Sequence, residues 1–123
     1  NSFGQNSLGV CYKYGRGVKK DYVEAAAWFS KAAEQGSSFA QYSLGVCFKH
    51  GRGVKKDLVK AAEWFSKAAD QGNARAQNNL GGCFYNGEGV KKDLVKAAEW
   101  FSEAAAQGEA DAKYNLGFCY KNG

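Results

Sequence analysis

Residues 50 to 58 read HGRGVKKDL. Gly51 and Gly53, with Lys55 and Lys56 close behind, are ingredients of a phosphate cradle. A P-loop, however, needs G-x-x-x-x-G-K-[ST] between a strand and a helix. Here the second glycine comes too early, the Ser/Thr is missing and no strand pattern precedes the loop. Asp57 at the start of the next helix would also repel phosphate. Cys47 and His50, at i and i+3, make half a metal site, and zinc needs two more ligands. Cys47 falls on the apolar stripe and His50 does not. His50 is the only histidine, and neither G-x-S-x-G nor S-x-x-K occurs. The carboxylates stand beside lysines rather than opposite one another, which suits no acid/base pair. No catalytic residue, metal set or cofactor is expected.

The loop recurs as YGRGVKKDY at 14–22 and NGEGVKKDL at 86–94, with an offset of 36 residues. Leu8, Leu44, Leu80 and Leu116 keep that period, as do Cys11, Cys47, Cys83 and Cys119, and Trp28, Trp64 and Trp100. A period of this length marks a repeat array. The chain reads as one array over 1–123, with repeats 1–36, 37–72, 73–108 and a partial 109–123, cut from a longer one.

Within residues 37–72, Ala40, Leu44, Cys47 and Phe48 share one helical face. This is helix A, about Ser38 to His50. Gly45 lies inside it at a cost of about 1 kcal/mol against alanine, so another helix must approach closely there. Gly51 and Gly53 end the helix through a turn with positive φ. Asp57 caps helix B, about Leu58 to Gln71; in the first repeat Asp21 and Glu24 have capping-box spacing. Leu58, Ala61, Ala62, Phe65, Ala68 and Ala69 form helix B's apolar stripe. Neither helix buries its stripe alone, so the pairs must stack. The last helix A carries Leu116, Phe118, Cys119 and Tyr120, which leaves an apolar end.

The net charge of +5 is modest and does not demand nucleic acid. No apolar run is long enough to span a membrane. The cysteines recur two helices apart, and packed neighbours are already roughly 8–10 Å apart. A disulfide needs Cα atoms within about 7 Å. Reduced, buried thiols are therefore expected, with no disulfides, in an intracellular, reducing compartment, the cytoplasm.

AQYSLGVCFKHGRGVKKDLVKAAEWFSKAADQG resembles the Sel-one-like repeat, a relative of the tetratricopeptide repeat. The residues that carry the resemblance are Ala40, Leu44, Gly45, Phe48, Gly51, Gly53, Val54, Asp57, Lys60, Ala61, Trp64, Phe65, Lys67, Ala68, Ala69, Gln71 and Gly72. The resemblance implies an all-α, right-handed α/α superhelical solenoid of 36-residue antiparallel helix pairs, seven helices here, with helix A lining the concave side. It also implies an adaptor in protein complexes, not an enzyme. One secreted bacterial branch joins helices A and B by a disulfide. Helix B here has no cysteine, so that framework does not carry over.

The repeats differ along one face of helix A, opposite the core stripe. The columns are Phe3/Phe39/Arg75/Asp111, Asn6/Tyr42/Asn78/Tyr114, Val10/Val46/Gly82/Phe118, Lys13/Lys49/Tyr85/Lys121 and Tyr14/His50/Asn86/Asn122. In the family architecture this face lines the groove, and its aromatic content suits a binding surface. A protein or peptide is expected to lie across it, touching Tyr42, Val46, Lys49, Tyr85, Tyr114 and Phe118. Tyr42→Ala with Tyr85→Ala should then abolish capture without lowering the melting temperature. Differences on helix B (Glu24/Lys60/Lys96, Ala27/Glu63/Glu99, Lys31/Lys67/Glu103, Glu34/Asp70/Ala106) read as a solvated surface. Two alternatives stand beside the groove. The uncapped ends suit end-to-end self-association. The edge Lys19-Lys20, Lys55-Lys56, Lys91-Lys92 suits RNA or another acidic partner, although Asp21, Asp57 and Asp93 interrupt it.

Overall fold

The structure is a computed structural model and describes residues 1–122. Among these residues seven α-helices of 13 residues each follow one another, and there is no strand. The A helices are α1 (Ser2–Tyr14), α3 (Ser38–His50), α5 (Ala74–Asn86) and α7 (Ala110–Asn122). The B helices are α2 (Tyr22–Glu34), α4 (Leu58–Asp70) and α6 (Leu94–Ala106). Each helix packs on the one before it and the one after it.

The element ends have local chemical causes. Asn1, Ser37 and Asn73 cap α1, α3 and α5 through side-chain oxygens that accept from backbone N–H groups. Asp21, Asp57 and Asp93 do the same for α2, α4 and α6, in extended backbone. These caps occupy N–H groups that have no carbonyl partner in the first turn. Asp21 performs only half of the expected capping box. Its carboxylate accepts from Val23 and Glu24, but its own N–H donates to the Tyr12 carbonyl at 2.9 Å. The same tie recurs from Asp57 to Phe48 and from Asp93 to Phe84, and it folds each helix B back against helix A. Helix B ends at Asp70, one residue short of the expectation, with Gln71 as its C-cap.

The glycine loop has two functions. Gly51 ends α3 in the left-handed region, with φ 67, and its N–H donates to the Cys47 carbonyl. Gly53 is also left-handed, with φ 75, but its second constraint comes from the previous repeat. A Cβ on Gly53 would strike the Tyr22 carbonyl, and one on Gly89 would strike that of Leu58. The loop of each repeat thus sits directly on the first turn of the preceding helix B. At Gly17, in the first loop, a Cβ would meet nothing within 4 Å.

The core lies between each helix B and the next helix A. Ala25, Ala26, Phe29, Ala32 and Ala33 of α2 pack with Ala40, Leu44 and Cys47 of α3, and Val54 of the following loop packs against them. The pattern repeats from α4 to α5, with Val90 in place of Val54. Phe29 and Phe65 are the largest fully buried side chains. A Cβ on Gly45 would lie 2.7 Å from the Phe65 ring, so this mid-helix glycine is required by a close helix approach. Leu44 and Leu80, each with a helix B packed before its helix, are 2% exposed, whereas Leu8 of α1 is 39% exposed.

A glutamine ladder runs through the seam. Gln41 is buried and donates to the Ala33 carbonyl of the preceding helix B at 3.2 Å. Its own carbonyl accepts from Gln71 at 2.8 Å. Gln77 repeats this with Ala69 and Gln107, and Gln35 reaches Gln5. At Gln41 and Gln77 these bonds satisfy amides that would be costly to bury alone.

Candidate functional site

Successive A helices lie side by side, and the residues that differ between repeats meet across them in three hollows. Phe3, Asn6 and Val10 of α1 face Phe39 of α3 around a space of ≈ 500 Å³ that Ser7, Cys11 and Arg16 also line. Tyr42 of α3, Arg75 and Asn78 of α5 and Asp111 of α7 line a second of ≈ 310 Å³, with Asn79 and Glu109. Gly82, Tyr85 and Asn86 of α5 and Tyr114 and Phe118 of α7 line a third of ≈ 330 Å³, whose wall is completed by Phe101 and Asn115. Hydrogen bonds cross between the helices. Asn6 donates to Ser37 at 2.8 Å, and Asn115 donates to Asn78 at 3.0 Å. The Asn6 Oδ1 is buried without a hydrogen-bond donor.

At the C-terminal ends of α1 and α3, Tyr14 and His50 line none of these hollows, unlike Asn86 of α5. Tyr14 is exposed there, with Lys13 Nζ 5.3 Å and the Arg16 guanidinium 5.2 Å from its ring centre. His50 is exposed, and its pKa is lowered by partial desolvation and then by Arg52, Lys49, Lys56 and Lys13. Those cations make this corner a positive patch. Lys49 is half-buried and Lys121 exposed; the side chain of Asn122 lies outside the described residues.

Several of the differing residues also belong to the scaffold, which corrects one expectation. Tyr42 is half-buried with its ring 6.1 Å from that of Phe65. Tyr85 stands 5.9 Å from Phe118, and Phe39 stands 6.2 Å from Phe29. Val10 and Val46 pack against core clusters, and Val46 lines none of the three hollows. Removing Tyr42 and Tyr85 therefore lowers stability as well as changing the surface, so that pair cannot serve as a clean test. Tyr114, 76% exposed, is the better probe.

Asn79, Asn115 and Glu109 were missed as lining residues. Their signal was present: Ser7, Ser43, Asn79 and Asn115 also differ between repeats, one residue beyond the face drawn. The helix-B columns are exposed throughout, which agrees with a solvated face. Lys31 and Lys67 lie 4.5 Å over Trp28 and Trp64, so part of that surface shields the half-buried indoles.

The four cysteines are free thiols, three of them buried. Burial pushes Cys47 and Cys119 upward and Cys83 up to about 11, which makes them packing groups rather than nucleophiles. Among the described residues no group of three metal-ligating side chains occurs, and no helix is long and apolar enough to cross a membrane.

A further hollow of ≈ 390 Å³ lies among α5, α6 and α7, lined by Tyr85, Leu94, Val95, Ala98, Glu99, Cys119 and Tyr120. In the interior, Ala62 is 2% exposed, whereas its counterpart Ala98 is only half-buried.

This architecture has known counterparts. The family model described as Sel1 repeat matches residues 2–37, 38–73, 74–109 and 110–123. The chain is 40% identical to a protective antigen present in uropathogenic Escherichia coli strains whose crystal structure displays an SLR fold. That match has a TM-score of 0.96 and covers 98% of this chain and 26% of that one. A Sel1 repeat protein from Oxalobacter formigenes matches at 38% identity and TM-score 0.92, over 98% of this chain and 49% of that one. Helicobacter pylori cysteine rich protein B matches at 28% identity and TM-score 0.79, over 93% and 90%. The chain thus spans 26% and 49% of the first two relatives. A search of curated proteins found no match. With four matches laid end to end over the same helix pairs, the chain belongs to the Sel1 repeat family, a non-catalytic family of protein-interaction scaffolds.

Proposed function

We propose that this chain is an adaptor module that holds a peptide or partner protein across its helix-A face and performs no catalysis. One observation carries the reading. The three hollows are each lined from at least two successive A helices, and most of their lining comes from columns that differ between repeats. A scaffold needs constancy where helices pack and has freedom where a partner docks. Tyrosine and phenylalanine supply contact area there at low entropic cost.

Peptides selected from a random library on the immobilised protein, mapped by amide chemical shifts, test this reading. Shifts should cluster on α1, α3, α5 and α7, and Tyr114→Ala should weaken binding. Shifts confined to the outer faces of α2, α4 and α6 would overturn it.

A second reading has its own support. Leu94, Val95 and Tyr120 are 45%, 71% and 76% exposed around the hollow among α5, α6 and α7, which suits end-to-end association. Light scattering that rises with concentration, and is suppressed by Val95→Lys, would favour it. The exposed lysine edge leaves an RNA reading that a salt titration separates, because phosphate contacts weaken steeply with salt.

A further inference from the structure

Cations from the first two repeats gather at one corner. Lys13 lies in the last turn of α1, Lys20 just before the cap of α2, Lys49 in the last turn of α3, and Arg52 and Lys56 in the loop that follows α3. The backbone holds that loop in place, because Gly53, next to Arg52, sits against the Tyr22 carbonyl. Lys20 Nζ stands 4.9 Å and the Arg52 guanidinium 5.7 Å from the centre of the Tyr22 ring. The Tyr22 hydroxyl is held below its usual pKa, first by hydrogen bonding to Lys20 and then, against partial desolvation, by the charges of Lys20, Arg52 and Lys13. Arg52 and Lys13 also act on His50, together with Lys49 and Lys56. The charges that reach both groups are all positive. Asp21, beside Lys20, turns its carboxylate to the Val23 and Glu24 N–H groups. Among the described residues none of these cations is in an ion pair.

The next corner along the array provides the contrast. Leu58 stands in the place of Tyr22, and Glu88 in the place of Arg52. The equivalent thiols feel the difference. Burial raises both first; beyond it, Lys13 and Arg52 both favour the Cys47 thiolate, whereas at Cys83 Lys49 favours it and Glu88 opposes it. Two differences between otherwise similar corners therefore concentrate positive charge and a hydroxyl donor at the first.

We propose that this corner docks a short cluster of carboxylates on an acidic segment of a partner protein, with Arg52 as the fork and Lys13, Lys20 and the Tyr22 hydroxyl around it. A guanidinium pairs a carboxylate through two parallel N–H groups, and lying over an aromatic ring leaves that edge open. Charge confined to one corner selects a compact acidic cluster. A nucleic-acid backbone followed along the array would meet Glu88 at the next corner. None of these residues lines the three hollows, so the site stands apart from the helix-A reading.

Anisotropy of fluorescein-labelled hexaglutamate, titrated with the protein at low salt, tests the assignment. Arg52→Glu installs the residue that repeat 3 already carries and should weaken binding by about fivefold or more. Lys91→Glu makes the same change in net charge away from the corner and should leave affinity nearly unchanged. Tyr22→Leu, the residue of repeats 2 and 3, should cost about threefold with no change in charge. Leu58→Tyr with Glu88→Arg rebuilds the corner one repeat further on and should add a second binding site. No binding by the unaltered protein, an affinity that Arg52→Glu lowers no more than Lys91→Glu does, or no second site in the rebuilt protein would each overturn the proposal. Tighter binding of oligouridylate than of hexaglutamate, lost in Arg52→Glu, would overturn it in favour of RNA.

Discussion

The two sides of an A helix obey opposite rules. On the inner side Ala40, Leu44 and Cys47 are 0%, 2% and 7% exposed, and Ala76, Leu80 and Cys83 in the next repeat have the same values. On the other side all five positions change between those repeats: Phe39 to Arg75, Tyr42 to Asn78, Val46 to Gly82, Lys49 to Tyr85 and His50 to Asn86. The contrast follows from what each side meets. The inner side meets a phenylalanine ring so close that Gly45 allows no Cβ. The outer side meets solvent and the neighbouring A helix, and touches the core only through residues such as Tyr42 and Val46, so more side chains fit.

The contrast is broken most severely from the inner side. Phe65→Ala should cost about 3–5 kcal/mol, because a fully buried ring leaves a cavity that α3 and α4 cannot both close. Urea titration measures it, and a loss under 1 kcal/mol would mean that the seam repacks.

Gly53→Ala and Gly17→Ala come next as a matched pair. Both residues have φ 75, so both changes strain the backbone, by about 1–3 kcal/mol. Only Gly53 also faces the Tyr22 carbonyl. Gly53→Ala should therefore be the worse of the two, and the difference in urea midpoint measures the contact between repeats.

Gln41→Ala removes a buried group that bonds both Ala33 and Gln71. A loss of about 1–3 kcal/mol is expected from the stranded partners. A smaller, pH-dependent effect belongs to Cys83. Its thiol is raised from 9.0 to about 11, chiefly by burial, so the folded protein holds that proton more tightly than the unfolded chain does. Its contribution is intact below pH 9 and disappears as pH climbs to about 11. The urea midpoint of Cys83→Ala should fall less across that window. Tyr114→Ala closes the series on the outer side, with less than about 0.5 kcal/mol of stability lost and binding weakened.

Much of the scaffold was legible in the sequence because its causes are local. Asp57 as a cap, Gly51 as a stop and the alanine stripe of α4 depend only on spacing. What escaped involves residues distant in sequence. The meeting of Gly53 with Tyr22 depends on how far one repeat rises over another. The glutamine ladder joins residues 30 apart, although Gln5, Gln41 and Gln77 recurring beside the alanine stripe was a usable sign. Part of the differing columns lines the hollows, Val46, Lys49 and His50 do not, and spacing could not reveal that Tyr42 also leans on Phe65. The capping box was half legible, because the Asp21 N–H had a nearer acceptor in Tyr12.

The glutamine ladder has a kinetic consequence. Its bonds span 8 to 30 residues, and each helix packs chiefly on its neighbours in the chain. Folding of such a molecule can begin at any seam and spread like a zipper, with little loop entropy to overcome at each step. Opening runs the other way, inward from whichever helix has a partner on one side only. Amide exchange should therefore be graded, fast in α1 around Leu8 and slow in α3 around Leu44, so that each repeat steadies the face its neighbour presents.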